Sequence, residues 1–323
     1  MGDSALMGPC AERTRRIGAA VVALCSLFLS APARAIPPQN PASNASLPGV
    51  TIQASKERQA LRLKVEHFVG SVIVQPWDEA ISRWNEPVCP LVAGLPQAFG
   101  EFILWRVTRA AMVARAPIAG QKCQPNFFVV ASNAPEQLLE KWWARDRWMY
   151  DTRHGIAPVD SFIHSKKPVR AWYNSDLVCG NGAPAVSGGT ALAIASVVTG
   201  GGGSSAFAAG APTCTDGIDT HLNYADVRSI SSAIVVVDLR RMKGATIQQL
   251  ADYIALVGLA DVRLDADPGA APSILQLFAG HATAPQQLTA WDRALLYSLY
   301  NTRQADKQQV SDLESTMIQR IAP

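Results

Sequence analysis

Five histidines, His67, His154, His164, His221 and His281, are the first residues to test for chemistry. No two stand at H-x-H or H-x-x-x-H spacing, the intervals that let one strand or one helical turn present two imidazoles to a metal ion. Each therefore reads as a surface or satisfied core residue. Carboxylates gather in "DVRLDADPG", where Asp261, Asp265 and Asp267 follow one another. A calcium loop needs more regularly spaced oxygens and a closing carboxylate, so this stretch reads as a solvated turn. Ser187 in "AVSGGT" is followed by Gly189, but Ala185 stands where a nucleophile elbow needs its first glycine. The run Gly200–Gly203 has no Lys-Ser/Thr behind it and is no phosphate cradle. "EKWWARDRWMY" combines Trp142, Trp143, Trp148 and Tyr150 with Lys141, Arg145 and Arg147. Aromatic faces beside cations suit a sugar or a partner surface. Trp142 and Trp143 point in different directions on a helix, so at least one belongs to a core.

The first 35 residues stand apart from the rest. Arg13, Arg15 and Arg16 precede the apolar "IGAAVVALCSLFLS", and Ala33-Arg34-Ala35 has the small-x-small form read by signal peptidase. Residues 1–35 are thus expected to be a signal peptide, and the protein to be exported to the periplasm or beyond. Thr14-Arg15-Arg16 hints at a twin-arginine route, and Leu24 spoils a lipobox at Cys25. The apolar run is too short for a comfortable membrane span, so no stable span is expected after processing. Of the 29 Lys and Arg and the 26 Asp and Glu, four and two lie in that segment, leaving 25 against 24. A nearly neutral mature chain lacks the electrostatic footprint of a nucleic-acid binder. Cys10 and Cys25 leave with the signal, and Cys89, Cys123, Cys179 and Cys214 remain. None is paired at C-x-x-C spacing, which argues against a zinc site and for two disulfides. Three pairings are possible; the one expected is Cys89–Cys123 with Cys179–Cys214, each closing a loop within one half of the chain.

The elements that must position these residues read as follows. Residues 36–55, with "IPPQNPASNASLPG", form a disordered lead-in to a single α+β domain over 56–323. "LRLKVEHFVGSVIV" alternates as one or two strands around Gly70 would. "PQAFGEFILWRVTRAAMVARA" has helical spacing at Phe102, Leu104, Val107, Ala110 and Ala111. "PNFFVVAS" is a buried strand, and "NAPEQLLEKWWARD" a helix with Asn133 as N-cap and Pro135 in its first turn. "PVRAWYNSD" is a strand, and the Gly-, Ala- and Ser-rich stretch from Cys179 to Cys214 a long loop. "SSAIVVVDLRR" is a buried strand. "TIQQLADYIALVGLAD" is a helix capped by Thr246 and ending near Gly258. "SILQLF" is a short apolar turn, "LTAWDRALLYSLYN" a helix capped by Thr289, and "QQVSDLESTMIQRIA" completes the domain.

Within that order, "LADYIALVGLAD" resembles the zinc-binding helix H-E-x-x-H-x-x-G-x-x-H with its ligands removed. With the glycine laid on Gly258, the histidines fall on Ala251, Ala255 and Asp261, and the glutamate on Asp252. The active motif works because histidines four residues apart share one helical face, and the glutamate beside the first serves the metal-bound water as general base. Alanine has no donor atom, and one carboxylate cannot hold zinc alone. "PSILQLF" resembles the turn beneath the zinc of metzincins, with Leu275 in place of methionine. "LTAWDRALLYSLY" is similar to the closing helix of matrixin-like proteases. The resemblance covers about residues 230–302 and implies a zincin-like scaffold without its zinc ligands.

The chain as a whole resembles an uncharacterised family of exported proteobacterial proteins, through "RWNEPVCPLVAGLP", "CQPNFFVV", "AIVVVD" and "QLADYIALVGLADV". That resemblance brings no activity with it, and it implies that the missing histidines are a family trait. The expected fold is a single α+β, zincin-like domain with a mixed sheet packed by several helices. The expected function is that of an exported, non-catalytic protein that binds a peptide, a glycan or an envelope partner, with no cofactor and no metal. The alternative is a hydrolase built around Asp252 and Asp261. Trp142, Trp143 and Trp148 are the candidate binding residues.

Overall fold

The computed structural model describes residues 48–74, 80–152, 155–178, 227–242, 244–279, 284–302 and 308–322, all within one compact unit from Pro48 to Pro323. Seven α-helices and four strands occur among them: α1 (Pro48–Val72), β1 (Pro90–Ala93), α2 (Gln97–Ala114), β2 (Phe127–Ser132), α3 (Pro135–Arg145), α4 (Ala157–Ile163), β3 (Val169–Val178), β4 (Val227–Asp238), α5 (Ile247–Leu259), α6 (Ala290–Asn301) and α7 (Gln308–Ile321). The sheet order is β1-β2-β4-β3; β1, β2 and β4 are parallel, and β3 runs antiparallel to β4 at one edge. The α+β expectation, with a mixed sheet packed by helices, describes this architecture.

β4 sits inside the sheet and is covered on both faces, which is why it reads as the unbroken run "AIVVV". Ala233, Val235 and Val237 face a large core shared with α1, α2, α5, α6 and α7. Ile234 and Val236 face a smaller one built from Leu139 of α3, Tyr150, and Val159, Phe162 and Ile163 of α4. β2 is inner as well, and its Phe127, Val129 and Ala131 enter the large core. Gly94, at φ +82°, lets the turn after β1 press against the Ala131 carbonyl; a Cβ there would lie 2.0 Å from that oxygen.

Three local expectations need correction. "LRLKVEHFVGSVIV" is not strand: α1 runs through it to Val72, and Ile73 makes only an isolated antiparallel bridge to Val262. Val65, Phe68, Val69 and Val72 are buried at intervals of three, four and seven residues, a helical period that outweighs the apparent alternation. Gly70 lies inside this helix at a position where a Cβ would meet nothing within 4 Å. The lead-in drawn to residue 55 is too long, since α1 starts at Pro48, whose fixed φ suits a first helical position. The N-cap of α3 is Ala134, not Asn133, because Pro135 opens the helix and holds the residue before it in a non-helical conformation. The Ser132 hydroxyl accepts from the Ala134 N–H at 3.0 Å.

The Cys89–Cys123 disulfide is present and joins the approach to β1 with the approach to β2. The expected Cys179–Cys214 bridge, and the Gly-rich stretch around it, lie outside the described residues. So do Ser187, His154, His221 and His281. Among the described residues no helix is long and apolar enough to cross a membrane.

Candidate functional site

α5 is the hub of the large core, and it starts where the sequence says. Thr246 accepts from the Gln249 N–H at 3.1 Å while the Gln249 side chain accepts from the Thr246 N–H at 3.0 Å, a complete capping box. Every residue from Gln249 to Leu259 is buried. A buried helix end must find donors for its last carbonyls. Here three aromatic side chains from three other segments supply them. Tyr173 of β3 donates to the Val257 carbonyl, Trp84 to Gly258 at 2.8 Å, and Tyr300 of α6 to Leu259.

Gly258 lies in the last turn of α5, not beyond its end, and the C-cap is Ala260. Its missing side chain makes room for a ring: a Cβ on Gly258 would lie 2.0 Å from Phe127 Cζ and under 3.0 Å from both Cε atoms. Close approach of β2 to α5 is therefore one physical reason for glycine at this position.

Ala251 and Ala255 are fully buried. They line neither the cavity above Asp252 nor the one beside Tyr253. Asp252 and Asp261 have separate surroundings. Asp252 is fully buried and forms a two-bonded pair with Arg106 of α2; its Oδ2 also accepts from the Leu288 N–H at 2.8 Å. Asp261 follows α5, and burial pushes its carboxyl up to about 6, opposed by a hydrogen bond with Ser82 and by the charge of Arg228. The donor set at the three ligand positions does not fit zinc: two alanines carry no lone pair, and Asp261 is committed to Ser82 and Arg228. Among the described residues no three His, Cys, Asp or Glu side chains gather as a metal site would require.

The elements after α5 are tied to it by polar groups. Asp292 of α6 is fully buried and accepts from the Ser273 hydroxyl at 2.6 Å, the Ile274 N–H at 2.9 Å and the Thr289 N–H at 2.8 Å. Burial still holds its carboxyl above the usual range, against those hydrogen bonds. The "SILQLF" segment forms a 3-10 turn (Ile274–Phe278) capped by Ser273, and Thr289 caps α6 with a second capping box. Leu275 is buried and Phe278 packs edge-on against Tyr253 of α5 at 4.9 Å.

Among the described residues, two of the cavities lie beside these elements. One, of about 400 Å³, lies where the start of β3, α5 and the 3-10 turn meet. Val169, Tyr253, Leu264, Leu275 and Phe278 give it an apolar wall, and Lys167, Asp265 and Asp267 its polar edge. Lys167 and Asp265 are 3.8 Å apart and both solvated. The other cavity, of about 350 Å³, lies between α2 and α6 above Asp252.

The candidate tryptophans lie on the opposite side of the sheet. Trp142 and Trp143 are half-buried against the smaller core, and Trp143 meets Tyr150 edge-on at 5.6 Å. Arg147 stacks over Trp143 at 5.0 Å. Trp148 is 83 % exposed. His67 and His164 are exposed, and His164 lies 3.4 Å from Asp160. Sequence reasoning missed Arg106, because its partner Asp252 is 146 positions away. Its one visible signal was the pair Arg106 and Arg109 on an amphipathic helix. Comparison with protein-family models, curated proteins and solved structures returned no match.

Proposed function

We propose that this is an exported, non-catalytic binding protein, on a scaffold related to zincin proteases, that holds an extended peptide along the outer edge of β3. The observation that carries the reading is the 400 Å³ cavity at the junction of β3, α5 and the 3-10 turn. Among the described residues β3 is an edge strand with its outer backbone groups turned away from β4, and an added strand is a common way for such an edge to take a partner. Side chains of an added strand alternate, so one of them can enter the cavity between Val169, Tyr253, Leu275 and Phe278. The carboxylates of Asp265 and Asp267 at its edge favour a neighbouring lysine or arginine on the peptide. The order strand, helix, turn and helix over β4, α5, 274–278 and α6 supports the zincin comparison, and the two alanines support the absence of zinc chemistry.

The test is selection from a library of random nine-residue peptides on the mature protein. Enriched peptides are expected to share an apolar residue next to a basic one, and to lose binding to a Phe278→Ala variant. Equal recovery on the native and Phe278→Ala proteins would remove the cavity from the account. A second reading, a hydrolase around Asp252 and Asp261, is favoured by one observation: the Asp261 carboxyl at about 6 could exchange a proton near neutral pH. Asp261→Asn separates the two, because a binder keeps its peptides and a hydrolase loses its turnover.

A further inference from the structure

The cavity between α2 and α6 is chemically unlike the one beside β3. It is lined by Arg106, Arg109 and Arg293, with Asp252 at its base and Ala110, Ala114 and Leu296 as apolar floor. The charge of Asp252 is spent on Arg106. Arg293 donates to the Leu288 carbonyl and Arg109 stacks on Trp105 at 5.4 Å; neither has a carboxylate partner among the described residues. The cavity therefore carries a surplus of two positive charges over an apolar floor. Guanidinium groups in this number suit a phosphate, which takes two parallel N–H bonds from each fork.

The rim adds a second, independent feature. Of the eight large apolar side chains that are exposed among the described residues, four are on α2: Phe99 at 47 %, Trp105 at 49 %, Met112 at 66 % and Val113 at 52 %. Trp105, Arg109, Met112 and Val113 are spaced i, i+4, i+7 and i+8, hence on one face of the helix, and Val113 also lines the cavity. A free anion would use the arginines but gives no reason for a tryptophan, a methionine and a valine standing in water beside them. Tryptophan at the headgroup level, apolar side chains just below it and arginines reaching for phosphate are the components of an interfacial helix.

We propose that this face of α2 docks on an anionic phospholipid surface, with the lipid phosphate in the cavity between Arg109 and Arg293. The docking is peripheral and independent of the peptide groove. It holds the β3 edge near a membrane without any span.

Co-sedimentation of the mature protein with vesicles tests it, using phosphatidylcholine alone and an equimolar mixture with phosphatidylglycerol. Binding to the mixture only, with a blue shift of tryptophan emission, is expected. Arg109→Ala combined with Arg293→Ala should weaken it about thirtyfold, the factor for two cations near an anionic surface. Met112→Glu should also abolish it; all three residues are exposed, and unchanged thermal melts verify the fold of each variant. Three results would overturn the proposal. One is no binding of the native protein to anionic vesicles, including the case in which inorganic phosphate alone occupies the arginines. Another is binding as strong in the double arginine variant as in the native protein. The third is a dimer that Met112→Glu dissociates while vesicles bind neither form.

Discussion

Replacing Gly258 by alanine inserts one methyl group where α5 meets the ring of Phe127. The new Cβ would stand 2.0 Å from Phe127 Cζ, 2.5 Å from Cε1 and 2.8 Å from Cε2. Carbon atoms rest at about 3.5–4.0 Å, so the ring or the helix must withdraw by roughly 1.5 Å. Neither has room: Phe127 is fully buried, with Trp84 beside it at 6.5 Å between ring centroids. Trp84 in turn holds the Gly258 carbonyl, so displacement of the ring also disturbs that cap. Overpacking of this kind costs about 1–3 kcal/mol and sometimes more. Alanine is the better helix former by about 1 kcal/mol, which offsets part of the loss. With the clash near the severe end, a net destabilisation of about 2 kcal/mol is expected in urea unfolding. Phe127→Leu shortens the intruding ring, so the double variant should be more stable than the sum of the two single losses implies, by about 1 kcal/mol or more in the cycle. A Gly258→Ala protein as stable as its parent, or a cycle that is strictly additive, would refute the packing argument.

Three further outcomes follow from the polar groups around α5. Asp252→Ala leaves Arg106 and the Leu288 N–H without their acceptor and should cost about 3 kcal/mol in the same unfolding assay, as loss of one member of a buried pair does. Asp252→Asn keeps an acceptor for Leu288 and should lose less. Asp261 makes stability fall with rising pH. Its carboxyl titrates at about 6 when folded and near 3.9 when unfolded, so between those values the native state holds the extra proton. Stability from this group is full below about pH 4 and is lost as pH rises to about 6, by up to about 3 kcal/mol. Urea midpoints taken from pH 4 to 7 should show that decline, and Asp261→Asn should flatten it.

Much of the fold was legible because local signals agreed with the tertiary ones. Thr246 with Gln249, and Thr289 with Asp292, have the side chains and the three-residue spacing of capping boxes, and both boxes form. "FFVV" and "AIVVV" are unbroken apolar runs because β2 and β4 are inner strands. α1 was misread because Leu61, Leu63 and Val65 alternate over a short window, while its burial pattern repeats over the longer helical one. Leu63 stays 59 % exposed, so that alternation never described a buried face. The site was less legible for a plain reason. Asp252 gains its meaning from Arg106 and Leu288, and the cavity beside β3 gathers residues from 167 to 279; neither set is local in sequence. Alanine at 251 and 255 could be read directly, since the absence of a donor atom does not depend on the fold.

The proposal that this scaffold carries out no zinc hydrolysis rests on those two alanines. Plasma spectrometry of the mature protein, purified without added metal or chelator, tests it most directly. The account predicts zinc far below one atom per chain, before and after dialysis against zinc at micromolar concentration. One tightly held zinc per chain would contradict it.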